Sequence, residues 1–91
     1  MEEIRIAVKT LSDNEESLYN NLNGAIVKTI LLYNSNDAEK EVTLNLDGVA
    51  FLFRLNSKET KILSSPLVTN SIKASGVGIN IHISGIQLGG A

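Results

Sequence analysis

The sequence predicts an all-β fold, a small antiparallel β-sandwich or flattened barrel of about seven or eight short strands. In several short segments apolar residues alternate with polar ones, which is the pattern of strands that bury one face. Turn-forming residues separate these segments at intervals of roughly 8–12 residues, a spacing typical of sandwiches and barrels. The apolar residues are mainly Ile, Leu and Val, and β-branched side chains favour strands over helices.

Length and composition limit the number of domains and the kinds of cofactor and partner that we expect. The 91 residues are predicted to form one domain, and a chain of this size buries a modest core unless disulfides, metals or oligomerisation contribute. There is no Cys, and a single His argues against a structural zinc site, so we expect oligomerisation and no cofactor. The net charge is −2 with scattered Lys and Arg, which predicts neither a nucleic-acid nor a membrane partner. The acidic start Met1-Glu2-Glu3 differs from signal-peptide chemistry, so we expect synthesis in the cytoplasm.

Ile26–Tyr33 is the densest apolar run, and it predicts the central strand of the domain. One side of the strand carries Ile26, Lys28, Ile30 and Leu32. The other side carries Val27, Thr29, Leu31 and Tyr33. A strand that is apolar on both sides is usually covered on both sides. We therefore expect this segment to be enclosed by the rest of the domain.

Ile4–Lys9 alternates cleanly, which predicts a half-buried strand with Ile4, Ile6 and Val8 facing inward. A polar segment separates this strand from the rest of the chain. Residues 1–11 are therefore expected to be a strand or an arm that could pair with the sheet edge of a neighbouring copy.

Residues 12–24 allow two interpretations. Ser12 and Glu15 match a capping box, which predicts a short helix. Alternatively, the segment is a loop and a brief strand followed by a turn at Asn20–Gly24, where Asn-Gly is a strong hairpin signal. We favour the strand and turn because consecutive Asn residues are poor helix formers.

The second half of the chain predicts a hairpin and three further strands. Glu41–Leu55 is expected to turn at Asp47-Gly48, with the apolar faces of both strands on the same side. The further strands are predicted at Glu59–Leu63, Ser71–Ser75 and Ile79–Ser84, with turns at Asn56–Lys58 and Gly76–Gly78 and a break at Ser64–Pro66. The alternation of the last strand slips at Gly85, which predicts a β-bulge there, and residues 89–91 are expected to be a flexible tail.

The sequence contains no catalytic constellation, and we expect no enzyme activity. His82 lies on the polar side of the last strand without a Ser or Cys nucleophile motif, so we interpret it as an exposed or interface residue. The acidic run Asp13–Glu16 lacks the ligand spacing of a calcium loop. Gly76-Val77-Gly78 precedes a strand, whereas a phosphate loop precedes a helix.

Four features follow one another between residues 18 and 88: a central strand that ends in Asn, a hairpin, a Lys-Glu-Thr corner and a closing strand that ends in Ser-Gly. They are Ala25–Asn34, Val42–Gly48, Lys58–Thr60 and Ile79–Gly85. In this order they resemble small virion proteins of tailed bacteriophages. The resemblance implies a β-sandwich module displayed on a capsid, neck or tail.

Among these roles we favour a capsid decoration or cementing protein, which would bind the major capsid protein and itself, as a homotrimer in the virion. The alternatives are a tail or neck accessory protein and a carbohydrate-binding β-sandwich, for which Tyr19 and Tyr33 are the candidate stacking residues. The expected interface residues are Ile4, Ile6, Val8, Arg54 and His82.

Overall fold

The computed structural model describes residues 3–64 and 66–89, which form seven strands and no helix. The strands are β1 (Ile4–Thr10), β2 (Glu16–Asn34), β3 (Lys40–Leu46), β4 (Val49–Leu55), β5 (Thr60–Leu63), β6 (Leu67–Ser75) and β7 (Ile79–Gln87). The prediction of an all-β fold is therefore confirmed. Parts of three predicted segments lie outside the described residues: Met1 and Glu2 of the arm, Ser65 of the break, and residues 90 and 91 of the tail.

The sheet is built around β2. Its strands are all antiparallel and follow the order β1-β7-β2-β6-β3-β4. One edge of β2 pairs with β7, while the other pairs with β6 along its first half and with β5 over Ile30–Tyr33. The predicted central strand is confirmed, but at 19 residues it is much longer than Ile26–Tyr33.

The sheet folds over so that its two halves enclose one aliphatic core. We call β1, β7, the second half of β2 and β5 the front layer, and β6, β3 and β4 the back layer. Buried residues of the front side are Leu11, Val27, Ile30, Leu32, Ile79, Ile81 and Ile83, and those of the back layer are Val42, Leu44, Leu55, Ile72 and Ala74. Both sets belong to one cluster, which is the two-layer packing expected of a small sandwich or flattened barrel.

Only one side of β2 faces this core. Val27 and Ile30 are both buried although they are three residues apart, because Lys28 is an extra residue in the register with β7. On the other side Lys28 is exposed, and Leu31 exposes 38% of its surface. The prediction that this strand is covered on both sides is therefore wrong, because a two-layer domain covers only the inner side of each layer.

The last strand, β7, alternates regularly, as predicted. Its buried isoleucines are Ile79, Ile81 and Ile83. The irregularities lie near the predicted position but in the neighbouring strands. Lys28 of β2 is an extra residue opposite the Ser84-Gly85 step, and Ile6 of β1 is an extra residue opposite the Ile83-Ser84 step. The prediction of a phase slip in β7 itself is wrong: Gly85 stays in the inward phase, is buried, and allows the β2 backbone to approach closely.

The predicted inward orientation is wrong for Val8 of β1, whereas Ile4 lies opposite the inward-facing Gly85 and is exposed because it is the first residue of the strand. Ile4 and Val8 expose 45% and 57% of their surface, whereas Ile6 and Ala7 are half-buried against the core. The extra residue between Arg5 and Ala7 reverses the phase of the strand, so that Val8 points outward. β1 pairs with β7 of its own chain, and its addition to a neighbouring copy stays a hypothesis.

The strand interpretation of residues 12–24 is confirmed, since β2 begins at Glu16 and no helix forms there. The expected hairpin turn at Asn20–Gly24 is wrong, because β2 continues through it. Instead, residues 21–24 lie opposite the single residue Asn70 of β6. The side-chain amide of Asn70 donates to two backbone carbonyls of this segment at 2.9 and 3.1 Å. The Asn-Gly signal therefore marks a bulge of four residues, in which Gly24 supplies a positive φ of 79°.

The predicted hairpin is confirmed: β3 and β4 pair in continuous register, and Asp47 and Gly48 at the turn have φ of 55° and 90°. The Asp47 carboxylate accepts backbone N–H groups of Asn70 and Ser71 at 2.8 and 3.0 Å. The hydrogen bond from Asn70 is the main cause that holds the pKa of Asp47 below its ordinary value. The inner side of β4 is buried only near Leu55, so that its residues close to the turn remain accessible.

Candidate functional site

Two predicted interface residues, Val8 and His82, lie directly opposite each other across β1 and β7. Leu31 of β2 lies opposite His82 on its other side, and Ile62 of β5 lies opposite Leu31. Residues directly opposite in antiparallel strands point to the same side of the sheet. The four side chains therefore form a row across the outer side of the front layer, which we call the front face.

This first row is apolar and accessible. Ile62 exposes 63% of its surface, Val8 and Leu31 are also exposed, and His82 is half-buried between them. A shallow hollow of about 310 Å³ lies around His82. Its lining residues are Val8, Lys9, Thr10, Leu31, Tyr33, Asn80, Ile81 and His82. Contiguous exposed apolar surface of this kind marks interaction sites on soluble proteins.

A second apolar row crosses the front face further along the strands. Ile86 of β7 lies opposite Ile26 of β2, which in turn lies opposite Val68 of β6. Val68 exposes 66% of its surface, and the two isoleucines are half-buried. The apolar surface of the front face therefore extends over strands β1, β7, β2 and β5 and continues onto Val68 at the start of β6, where that strand pairs with β2.

Two cationic side chains belong to the same face. Arg5 lies opposite Ser84, which separates the first row from the second on β7. Lys28 is the bulge residue of β2 and is exposed, as Arg5 is. Within the part of the chain that the structure describes, neither residue forms a salt bridge. The front face thus combines exposed apolar side chains with two positive charges that are not neutralised by those residues.

The outer side of the back layer, the back face, is mainly polar. Its residues include Glu41, Thr43, Asn45, Arg54, Lys73 and Ser75. Arg54 contacts Glu39 at 3.8 Å and Glu41 at 3.4 Å. The structure therefore brings Val8 and His82 together but places Arg54 on the opposite side, while Ile6 contributes to the core and Ile4 lies at the end of β1.

The acidic run before β2 takes part in the fold. The Glu16 carboxylate accepts hydrogen bonds from Lys9 and from Ser12, the latter at 2.9 Å, and these bonds lower the pKa of Glu16. Asp13 and Glu15 are exposed. Across residues 3–64 and 66–89, no group of three or more His, Cys, Asp or Glu side chains is placed to hold a metal ion.

The two candidate sugar-stacking aromatics have different environments. Tyr19 packs against the core, and its hydroxyl group, a single donor, lies within hydrogen-bond distance of the Gln87 side-chain oxygen and the Gly24 carbonyl oxygen. Its ring is therefore engaged within the fold. Tyr33 is half-buried and lines the hollow beside His82.

The alternation of apolar and polar residues in the sequence does not mark Leu31, Ile62 and Val68 as residues of the candidate site. Their common placement depends on which strands are neighbours and in which register they pair. A periodicity of two along one strand carries neither kind of information. The exposed face of β2 could be recognised only by locating the bulge at Lys28.

No family model matches the chain, and searches of curated proteins and of solved structures find no similar protein. Among the described residues, no helix is long and apolar enough to cross a membrane.

Proposed function

We propose that the protein is a non-catalytic structural component of a tailed-phage virion, a capsid decoration or cementing protein, and that its front face binds the major capsid protein. The observation that carries this proposal is the pair of accessible apolar rows on one side of a small β domain. The class of partner comes from the resemblance of residues 18–88 to small virion proteins.

The chemistry of the front face defines the surface that would fit it. Burial of Val8, Ile62 and Val68 in a contact removes apolar surface from water, which is favourable by roughly 25 cal/mol per Å². Arg5 and Lys28 favour a partner that carries carboxylates beside its apolar patch, because complementary charges steer association and exclude other partners. The partner surface is thus apolar with an acidic margin.

A cementing role is compatible with modest affinity at each contact. A capsid repeats the same binding surface many times, and a protein that bridges neighbouring subunits gains from avidity. The hollow around His82 offers a position for one projecting apolar side chain of a capsid subunit. The proposal therefore requires a complementary surface on the capsid and no catalytic group.

Co-sedimentation tests this function. The purified protein is mixed with empty capsids and, separately, with tails from the phage that encodes it, and each sample is pelleted over a range of protein concentrations. We expect saturable binding to capsids at a fixed copy number per particle and no enrichment with tails, since the capsid is the proposed partner. Binding to tails alone would assign the protein to the tail or neck, and a protein that pellets with neither particle would contradict the virion role.

A further inference from the structure

The outer edge of β4 lacks the protection that exposed sheet edges usually have. In the described residues β4 pairs only with β3, in continuous register over all seven of its residues. Edge strands are commonly blunted by charged residues, Pro, bulges or short length. β4 contains one charged residue, Arg54, and no Pro. By contrast, the edge strand β1 has a bulge and two cationic residues, and β5 has only four residues.

Both sides of this edge are apolar. On the inner side, Phe51 is exposed, and it lines a groove of about 390 Å³ together with Phe53. The rest of the groove lining comes from Ile30, Leu44, Leu46, Ile62, Leu63, Ser64 and Leu67. On the outer side, Leu52 exposes 59% of its surface. A strand that pairs with this edge could therefore bury apolar side chains on both sides of the sheet and satisfy the outward backbone groups of β4.

We infer that β4 of a second copy pairs with this edge, antiparallel and around a two-fold axis centred on Leu52. This axis keeps inner side chains beside inner ones and uses all seven residues of both strands. The opposed residues are Val49 with Leu55, Ala50 with Arg54, Phe51 with Phe53, and Leu52 with Leu52 of the second copy.

Charge and shape favour a second copy as the occupant. The single charged residue of the strand, Arg54, falls opposite Ala50, so that no like charges meet, and it keeps its own carboxylates Glu39 and Glu41. An axis at Phe51 would place Leu55 opposite Asp47, and an axis at Phe53 would place Ala50 opposite Asn56. In both cases part of β4 would face residues outside the strand and would not pair with β4 of the second copy. Phe51 of each copy then packs beside Phe53 of the other at the mouth of the groove, where aromatic pairs are favourable.

Such an isologous contact closes on itself and gives a dimer, in place of the trimer that the resemblance implies. It uses β4 and leaves the front face accessible. The dimer therefore does not depend on a capsid as partner, and it can be tested with the purified 91-residue chain alone.

Sedimentation equilibrium tests the dimer. We expect a concentration-dependent mass that approaches twice the 9.8 kDa of one chain. Leu52→Lys places like charges directly opposite each other and should raise the dimer dissociation constant by about tenfold or more. The control is Val68→Lys, a comparably exposed aliphatic residue in the part of β6 that pairs with β2 and lies outside the proposed β4 contact, and it should leave the dimer unchanged. Circular dichroism verifies that both variants remain folded.

Mixing variants tests the register. Leu52→Lys and Leu52→Glu should each be mainly monomeric alone, whereas an equimolar mixture should recover dimer, because only a two-fold axis at residue 52 places the opposite charges together. A monomeric wild-type protein up to about 500 µM would overturn the inference. A trimer, a dimer that Leu52→Lys does not weaken, or a mixture without recovery would also overturn it.

Discussion

Replacement of Asn34 by aspartate is expected to lower the free energy of unfolding by about 3–5 kcal/mol, the cost of leaving a buried charge without a partner. Asn34 is the last residue of β2 and is fully buried. A small domain has a total stability of roughly 5–15 kcal/mol. The substitution should therefore remove a large part of the stability of this protein.

The hydrogen bonds of Asn34 explain the size of this effect. Its Nδ2 group donates to the carbonyl oxygens of Ala38, Leu55 and Asn56 at 2.9, 3.1 and 3.0 Å. Its Oδ1 atom accepts the backbone N–H and the side-chain amide of Asn36 at 2.9 and 2.8 Å. Carbonyl oxygens on one side and N–H donors on the other fix the orientation of the amide. A carboxylate in this position directs a negative oxygen towards three carbonyl oxygens in a buried site.

Urea unfolding of the wild-type protein and of Asn34→Asp at several pH values measures this effect. The surrounding carbonyl groups and burial raise the pKa of the introduced carboxyl group. The difference in the free energy of unfolding between the wild-type protein and Asn34→Asp should shrink as the pH falls through that raised pKa. The protonated carboxyl group is uncharged and can donate one hydrogen bond. Asn80→Asp is the control on an exposed strand position and should change stability by less than about 0.5 kcal/mol. Equal stability of the two variants at pH 7 would contradict the role assigned to Asn34.

Gly85→Ala is expected to lower the free energy of unfolding by about 3 kcal/mol, at the upper end of the usual range for overpacking. A Cβ atom at Gly85 overlaps the carbonyl oxygen of Ile26 and lies 2.9 Å from the Cα atom of Val27. Both are backbone atoms of β2, so no side-chain rotation can relieve the overlap. β2 must move away from β7 beside the bulge at Lys28, and the adjacent core contacts move with it.

Thermal or urea unfolding of Gly85→Ala should be compared with that of Gly48→Ala. Gly48 has a φ of 90° and nothing within 4 Å of an added Cβ, so this control carries only the backbone penalty of about 1–2 kcal/mol. Gly85→Ala should be clearly the less stable of the two variants. The reverse order would show that β7 and β2 can separate at this point with little loss.

The parts of the fold that follow from local chemistry could be predicted from the sequence. Alternation identifies β7, and the Asp47-Gly48 pair identifies the hairpin, because side-chain period and turn conformation are properties of consecutive residues. The strands that carry the bulges near Gly85 could not be predicted, because an extra residue is defined relative to a neighbouring strand. Ile6 and Lys28 are such residues, and each changes the phase of its strand. The Asn-Gly sequence, which commonly marks a hairpin, here marks a four-residue bulge that ends at Gly24.

The candidate site could be predicted only in part for the same reason. Val8 and His82 are identifiable as interface candidates, and the structure places them opposite each other. Leu31 and Ile62 join them through the pairing of β2 with β7 and β5, which the sequence pattern does not contain. Arg54 looks equivalent to His82 in the sequence, but it lies on the other layer.

Capsid co-sedimentation of Val8→Glu and Val77→Glu tests the proposed binding of the front face to the capsid. Val8 lies in the first apolar row beside His82, whereas Val77 is an exposed residue of the turn before β7, outside both rows. Val8→Glu removes apolar contact and adds a charge that repels an acidic partner. We expect it to raise the protein concentration at half-saturation by about tenfold or more, which corresponds to about 1.4 kcal/mol, and Val77→Glu to leave it unchanged. Equal binding of both folded variants, or a loss confined to Val77→Glu, would contradict the claim.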